Sequence, residues 1–466
     1  MKRYGIALEL AHVPPLDPDF LPLHRFNQAF LAEAREPVSI AVERPGGQIS
    51  VCRTFIRSVG AMRAADRFYI DRLVKTLLWM KGGFRIYVSG SRAVFHFLGE
   101  TYGPGGKRAF DSAYMADVFE HPFEVVWAPE PPAEREIPRA TGGHLDGCRI
   151  GFDAGGSDRK VSAVMNGQTV YAKEVVWFPK LNADPEYHYA GILEALRSAA
   201  AHLPRVDAVG VSSAGVYRDN RTMNASLFRQ VPRDVFEAKG RDIYIRAITD
   251  TFGEIPFEVV NDGDVTALAG AMSLKDTNVL GIAMGTSEAG GFVDSQGQIT
   301  GWLNELAYVP VDAGAAAASD EWSGDIGCGE KYFSQESIIR LAPRAGIPLD
   351  AHLSPAEKLA AVQKRMEEGS DAAAQIYETI GVYLGHTLPY YHALYGCKHV
   401  LLLGRVMSGR GGDRIAETAD LVLRDEYPGV HAALTLELPD ERFRRIGQSM
   451  AAASLPATKG EVGSIC

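Results

Sequence analysis

One five-residue strand, Pro-Phe-Glu-Val-Val, occurs twice in this chain, at 122–126 and at 256–260. The surroundings repeat as well. Before each copy comes an alternating apolar hairpin, 38–56 around Pro-Gly-Gly and 161–178 around Asn-Gly. Such spacing predicts antiparallel strand pairs joined by tight turns. An amphipathic helix follows each hairpin, at 66–81 and 186–203, and then a short strand ending in small residues. A first strand precedes each hairpin, Tyr4–Leu10 in one case and 148–156 in the other. Matching points lie about 120 to 146 residues apart, and loops absorb the differences. The order is therefore strand, hairpin, helix, strand, strand, twice over, which predicts an α/β chain with an internal duplication.

Between the two repeats, residues 128–147 are rich in Pro, Gly and charge without apolar periodicity, which predicts a linker with a domain boundary near residue 140. The chain has 466 residues, is 46% hydrophobic, and carries a net charge of −10. An acidic balance with no basic arm argues against a nucleic-acid partner. The apolar stretches are strand-length and too short to span a membrane. The N-terminus lacks a cleavable leader pattern, and five scattered cysteines argue for a reducing cytoplasm.

The second repeat carries the chemistry. An apolar strand delivers Asp153, and Gly155, Gly156 and Ser157 follow as a tight turn. Glycines let backbone N–H groups approach phosphate oxygens, and the carboxylate suits a hard cation such as Mg²⁺. A second apolar strand ends in Asn261 and Asp262, with Asp264 the expected N-cap of a helix from about Val265. Asp262, at a strand end facing a helix N-terminus, suits a general base. A third strand opens into Gly285 and Thr286, again a backbone nest with a hydroxyl, and a fourth runs into the Gly/Ser-rich loop of Gly404, Arg405 and Ser408.

In this order the motifs resemble those of the ROK family of sugar kinases and sugar-responsive repressors, of the actin/hexokinase-like superfamily. Residues 151–157 resemble its first phosphate motif, D-x-G-G-T, with Ser157 for Thr; "NDGDVTALAGAM" resembles the N-D-A-N-A-A-A-L-A-E segment that holds the catalytic Asp; "GTSEAGG" resembles its second phosphate loop, and "LLLGRVMSGRGG" its adenosine motif. The resemblance covers about 147–460. It implies two ribonuclease-H-like lobes around a cleft, 147–265 with about 446–466 forming the first and 266–445 the second. It also implies transfer of the ATP γ-phosphoryl to a sugar hydroxyl. Asp262 would be the base and Asp153 the Mg²⁺ residue. Gly155, Gly156, Ser157, Gly285 and Thr286 would hold phosphates; Gly404, Arg405 and Ser408 would meet the nucleotide. Asn261, Asp262, Glu305, Glu330 and Asn224 would hold the sugar.

Residues 1–140 would form an additional degenerate lobe of similar topology, serving as an interface or as a cap over the sugar side. The family's G-E-x-G-H turn appears as "NELAY", with Tyr308 for His. Its Cys-rich zinc loop appears as "EWSGDIGCGE", which keeps only Cys328 of the thiols. No zinc site is expected, since one thiol is not a tetrahedral set. Two residues depart from the kinase pattern: Glu288 inside the second phosphate loop and Arg405 in place of a Gly. A non-catalytic sugar- or nucleotide-sensing protein on the same fold is therefore the second reading. The resemblance also allows a homodimer.

Overall fold

The computed structural model describes residues 2–58, 60–137, 142–439 and 447–458. The expected domain boundaries near 140 and 446 lie outside the described residues. The chain forms two compact units: residues 1–137, 282–290 and 302–437 in one, and 138–281, 291–301 and 438–466 in the other.

The second unit is built on a five-stranded sheet. Its order is Phe257–Asn261, Ala208–Ser213, Cys148–Ala154, Asp158–Met165, Gln168–Val176. The central strand, every residue of it buried, pairs parallel with Ala208–Ser213 and antiparallel with Asp158–Met165. In chain order the strands lie 3-2-1-4-5, the arrangement of a ribonuclease-H-like lobe. The hairpin turns at Asn166 and Gly167, both with positive φ, the geometry an Asn-Gly pair adopts at little cost. Helix Pro185–Ala200 starts from an Asp184 cap with Pro at its first position. With helix Ile243–Phe252 it covers one face through Ile192, Leu196, Tyr244 and Ile248. Helix Gln448–Ala453 lies on the sheet so closely that a Cβ at Gly151 or Gly210 would fall 1.6 Å from its carbonyl oxygens. Only glycine admits that approach.

The described residues also form two four-stranded sheets. One has the order Glu288–Val293, Val279–Met284, His399–Leu403, Thr435–Glu437. The other has the order Gln48–Ile56, Glu36–Arg44, Arg85–Ser89, Glu124–Trp127. Here Glu36–Arg44 is antiparallel to both neighbours, and Arg85–Ser89 pairs parallel with Glu124–Trp127. The expected first strand, Tyr4–Leu10, is corrected: only Ile6–Ala7 is a strand, and it pairs with Lys2–Arg3 in a separate ribbon. Positive φ at Tyr4 and Gly5 folds this segment back on itself before it can reach the sheet. Helix Asp371–Tyr395 packs on Gly409–Glu426, where a Cβ at Gly381 or Gly385 would meet Thr418 or Val422 within 2.6 Å. Among the described residues no helix is long and apolar enough to cross a membrane.

Helix Ala64–Lys81 brings Asp71, Arg72, Lys75 and Trp79 into the interior. There Asp325 accepts both Arg72 guanidinium nitrogens at 2.9 and 3.0 Å, with Lys75 at 3.1 Å and Arg108 at 2.7 Å. Asp71 holds the other side of Arg108 at 2.7 and 2.8 Å. Asp111 accepts from Lys75 and from the Trp79 indole at 3.2 and 2.6 Å. All six charged groups are at most 6% exposed. Burial alone would raise the Asp325 carboxyl, but Lys75, Arg72 and Arg108 overcome it and hold it well below the ordinary 3.8. Asp325→Asn leaves buried cations short of a counter-charge, and is expected to lower stability at neutral pH by about 3–5 kcal/mol in chemical denaturation. A depressed carboxyl stabilises above its unfolded pKa and loses that contribution as pH falls. The gap between parent and variant should therefore narrow below about pH 4.

Candidate active site

In the second unit, Asp153 lies on the central strand and Asp262 follows the edge strand Phe257–Asn261, with Ala208–Ser213 between the two. Asp153 lies near the end of the central strand, 5% exposed, and its Oδ1 accepts from the Ser212 hydroxyl at 2.8 Å. Burial pushes its carboxyl up to about 6; Lys160 and Ser212 oppose the rise, while Asp262 and Asp158 add to it. Asp262 opens helix Asp262–Leu274 and is half-buried. Its carboxyl is also raised, by desolvation, against the pull of the Gly263 and Asp262 N–H groups and of Lys180. Asp262 adds to the rise at Asp153, and a carboxyl pair of this kind set against a helix N-terminus suits proton acceptance and cation binding.

The expected cap is corrected. Asn261, not Asp264, caps this helix, which begins at Asp262 rather than near Val265: Asn261 Oδ1 accepts from the Gly263 N–H at 2.7 Å. Asp264 sits at the third helical position and accepts from the Phe292 N–H at 3.1 Å instead. The Asn261 amide donates to the Gly215 carbonyl at 2.7 Å, and Gly215 packs on the backbone of Asn224. Asn261 and Asn224 are thus brought to one place. The turn of Gly155, Gly156 and Ser157 is held by the Trp177 indole, which donates to the Gly155 carbonyl at 2.8 Å. Ser157 is exposed and its hydroxyl donates to Asp158 at 3.1 Å. A Cβ at Gly156 would fall 2.8 Å from Lys180 Nζ. Sequence reasoning missed this lysine: it stands alone in the short turn Pro179–Leu181, and only the fold brings it to the glycine turn and to Asp262.

The first unit carries the remaining candidates. Gly285 N–H donates to Ser287 O at 3.0 Å, which closes the turn that exposes Thr286. Arg405 is exposed and donates to the Thr286 hydroxyl at 3.2 Å. The turn at Gly285–Ser287 and the loop at Gly404–Ser408 therefore meet. Gly404, at φ +97°, presses on the Met284 backbone where a Cβ would clash at 2.3 Å. Ser408 precedes helix Gly409–Glu426 without a side-chain capping bond. Glu288 faces inward, 2% exposed, and neither oxygen has a hydrogen bond of ordinary geometry. Burial raises its carboxyl well above the ordinary glutamate value, and the Glu330 carboxyl adds to the rise.

Ser287 donates to Glu330, whose carboxyl burial also raises. Glu305 opens the turn Leu306–Tyr308, and its N–H donates to the Trp79 carbonyl at 3.0 Å. The zinc-loop positions do not fit zinc: Glu321 pairs with Lys331 at 2.5 Å, Ser323 donates to Asp320, and burial pushes the Cys328 thiol up to about 12. A thiol so far from ionisation is a poor zinc ligand.

A family model for the ROK family matches residues 149–432, leaving the first 148 residues outside. No curated protein shows significant sequence similarity to the chain. Among solved structures, the ROK hexokinase from Thermus thermophilus aligns at 17% identity over 66% of this chain and 96% of that one, with a TM-score of 0.51. A ROK family glucokinase from Streptomyces griseus, in complex with glucose and AMPPNP, aligns at 18% identity over 66% and 98%, with a TM-score of 0.49. A ROK family transcriptional regulator, a homologue of the E. coli MLC protein, aligns at 17% over 66% and 78%, at 0.48. The match spans well over half of the sequence, and its motifs fall on the turns and strand ends described above: the chain belongs to the ROK family.

Proposed function

We propose that the protein is an ATP-dependent sugar kinase that transfers the γ-phosphoryl group to a sugar hydroxyl. The observation that carries the reading is the Asp262 carboxyl at a helix N-terminus, raised by burial, with Asp153 beside it. Asp262 takes the proton of the acceptor hydroxyl. Glu305, Glu330, Asn261 and Asn224 hold the sugar through its other hydroxyls. The amides of Gly155, Gly156 and Gly285, the hydroxyls of Ser157 and Thr286, and Lys180 offer donors to phosphate oxygens. Gly404, Arg405 and Ser408 receive the nucleoside end. Asp153 fits Mg²⁺, which is commonly held by one or two carboxylates together with phosphates and water. The like charges around Asp153 call for such a cation. ATP supplies the phosphoryl group and Mg²⁺ neutralises its developing charge.

A second reading, a non-catalytic sugar- or nucleotide-sensing protein on this fold, draws on Arg405. Its guanidinium already occupies the Thr286 hydroxyl that phosphate binding would use.

The deciding measurement is ADP release from Mg²⁺-ATP across hexoses, N-acetylhexosamines and sugar acids. The kinase reading expects sugar-dependent turnover that Asp262→Asn lowers by about 10²-fold or more. Binding of sugar or nucleotide without turnover would select the sensor. In the kinase, Lys180→Met should raise KM for ATP by about tenfold, the loss of one charge-assisted phosphate contact, and leave KM for the sugar unchanged. Glu288→Gln tests whether the second phosphate turn is free of charge. A carboxyl with a raised folded pKa stabilises fully below its unfolded value, about 4.5, and loses this as pH rises. The Gln variant should melt above the parent at pH 8, by about 2–4 °C for each kcal/mol recovered, with the gap shrinking toward pH 5. A gap that ignores pH would mean that Glu288 is ionised in the fold.

A further inference from the structure

Five aromatic rings gather in the first unit beside Glu305 and Glu330. Tyr308 lies 4.5 Å from Trp79 and 4.8 Å from Trp322, ring centre to ring centre. Phe110 meets Trp322 edge to face at 4.5 Å, and Tyr114 lies 4.8 Å from Trp79 and 5.6 Å from Trp322. Trp79 is fully buried and pinned through its indole N–H to Asp111, so the base of the cluster is rigid. Trp322 crowns it and remains 48% exposed. Three of the five rings come from the N-terminal 137 residues, outside the part of the chain that the family match covers.

The cluster is tied to the carboxylates by short links. Tyr308 ends the turn that Glu305 opens, donating its N–H to the Glu305 carbonyl at 3.1 Å. The turn of Glu330 packs on it, since the Gly329 N–H donates to Val309 O at 3.0 Å. Glu321, the neighbour of Trp322, pairs with Lys331, the neighbour of Glu330. Burial raises the Tyr308 hydroxyl, and Glu305 and Glu330 add to the rise. A pre-formed indole face next to acceptor carboxylates matches a pyranose, which offers a C–H face on one side and hydroxyls around its rim. The indole covers the apolar face, and the carboxylates accept from the hydroxyls.

We infer that Trp322, on its platform of Trp79, Phe110, Tyr114 and Tyr308, is a second sugar subsite. The substrate is then a disaccharide or other glycoside: one ring is held by Glu305 and Glu330, and the next stacks on Trp322. This rests on the sugar-binding part of the function proposed above but not on phosphoryl transfer. The platform is pre-ordered, so stacking costs little conformational freedom.

The test is calorimetric titration of the full chain, without nucleotide, with glucose, N-acetylglucosamine, maltose and cellobiose. The parent should bind at least one disaccharide about tenfold more tightly than its monosaccharide, and Trp322→Ala should erase that preference while leaving monosaccharide affinity unchanged. Trp322 is exposed, so the variant should fold, and an unchanged melting temperature checks this. Tyr114→Ala should weaken the preference in the same direction. A preference absent from the parent, or retained in Trp322→Ala, overturns the subsite. So does failure to bind any of the four sugars, or a solution dimer that Trp322→Ala dissociates, since the ring would then be covered by a second copy. Disaccharide binding without ADP release would keep the subsite and remove the kinase; monosaccharide turnover without a disaccharide preference would do the reverse.

Discussion

The buried Asp325 carboxylate is the constraint on which the architecture around Glu330 and Trp322 rests. Its loop carries Glu330 at one end and Trp322 near the other, and has few contacts of regular secondary structure to fix it. Bidentate pairing to Arg72, with Lys75 and Arg108 on the same carboxyl, ties that loop to a long helix and to the segment after it. Ion pairs taken out of water are seldom strong stabilisers, because desolvation consumes most of the attraction. What they give is a single register. Three cations need carboxylates at fixed points, and Asp71, Asp111 and Asp325 meet that need in only one placement of helix and loop. Where the family pattern has thiolates around a zinc ion, this chain has a carboxylate among three cations, and the N-terminal segment supplies all three.

Two pairs of carboxyl groups show how burial can have opposite uses. Asp153 and Asp262 are both raised, yet each lies at an element end with donors nearby, namely Ser212, Lys160, the helix amides and Lys180. Burial raises both Glu288 and Glu330, and Glu330 adds to the rise at Glu288, but their surroundings differ: Glu330 has the Ser287 hydroxyl, while Glu288 is sealed behind the turn without a hydrogen bond of ordinary geometry.

Much of this was legible in the sequence because its causes are local. Glycine turns after apolar strands, an Asn-Gly hairpin and an Asx residue before a helix are each dictated within a few residues. Which Asx caps was not: Asn261 and Asp264 both have the chemistry, and the choice depends on Phe292, on another strand. The direction of Glu288 was illegible for a related reason. At the first residue of a strand, a one-residue change of register sends the side chain to the other face. Lys180 and the rings of Trp79, Phe110, Tyr114, Tyr308 and Trp322 carry no local signal, because their meaning comes from contacts between residues far apart in the chain.

The repeated Pro-Phe-Glu-Val-Val shows why a strand alone does not make a site. At 257–261 it ends in Asn261, which caps a helix, so the next carboxylate, Asp262, rests at the positive dipole end of that helix. It also lies two strands from the central strand that carries Asp153, across Ala208–Ser213, and Ser212 bridges toward that carboxyl. At 124–127 the same residues end in Trp127, over which Arg92 stacks at 4.0 Å, and the chain leaves through a proline-rich stretch with no helix to receive it. Its sheet lacks the central strand as well: Glu36–Arg44 pairs directly with Arg85–Ser89, and the segment Tyr4–Leu10 lies outside the sheet altogether. Without a helix N-terminus to stabilise one carboxylate and a central strand to present a second, this copy has no means to hold either charge. What it keeps is the scaffold from which Arg72, Lys75, Trp79 and Arg108 reach the loop of Asp325.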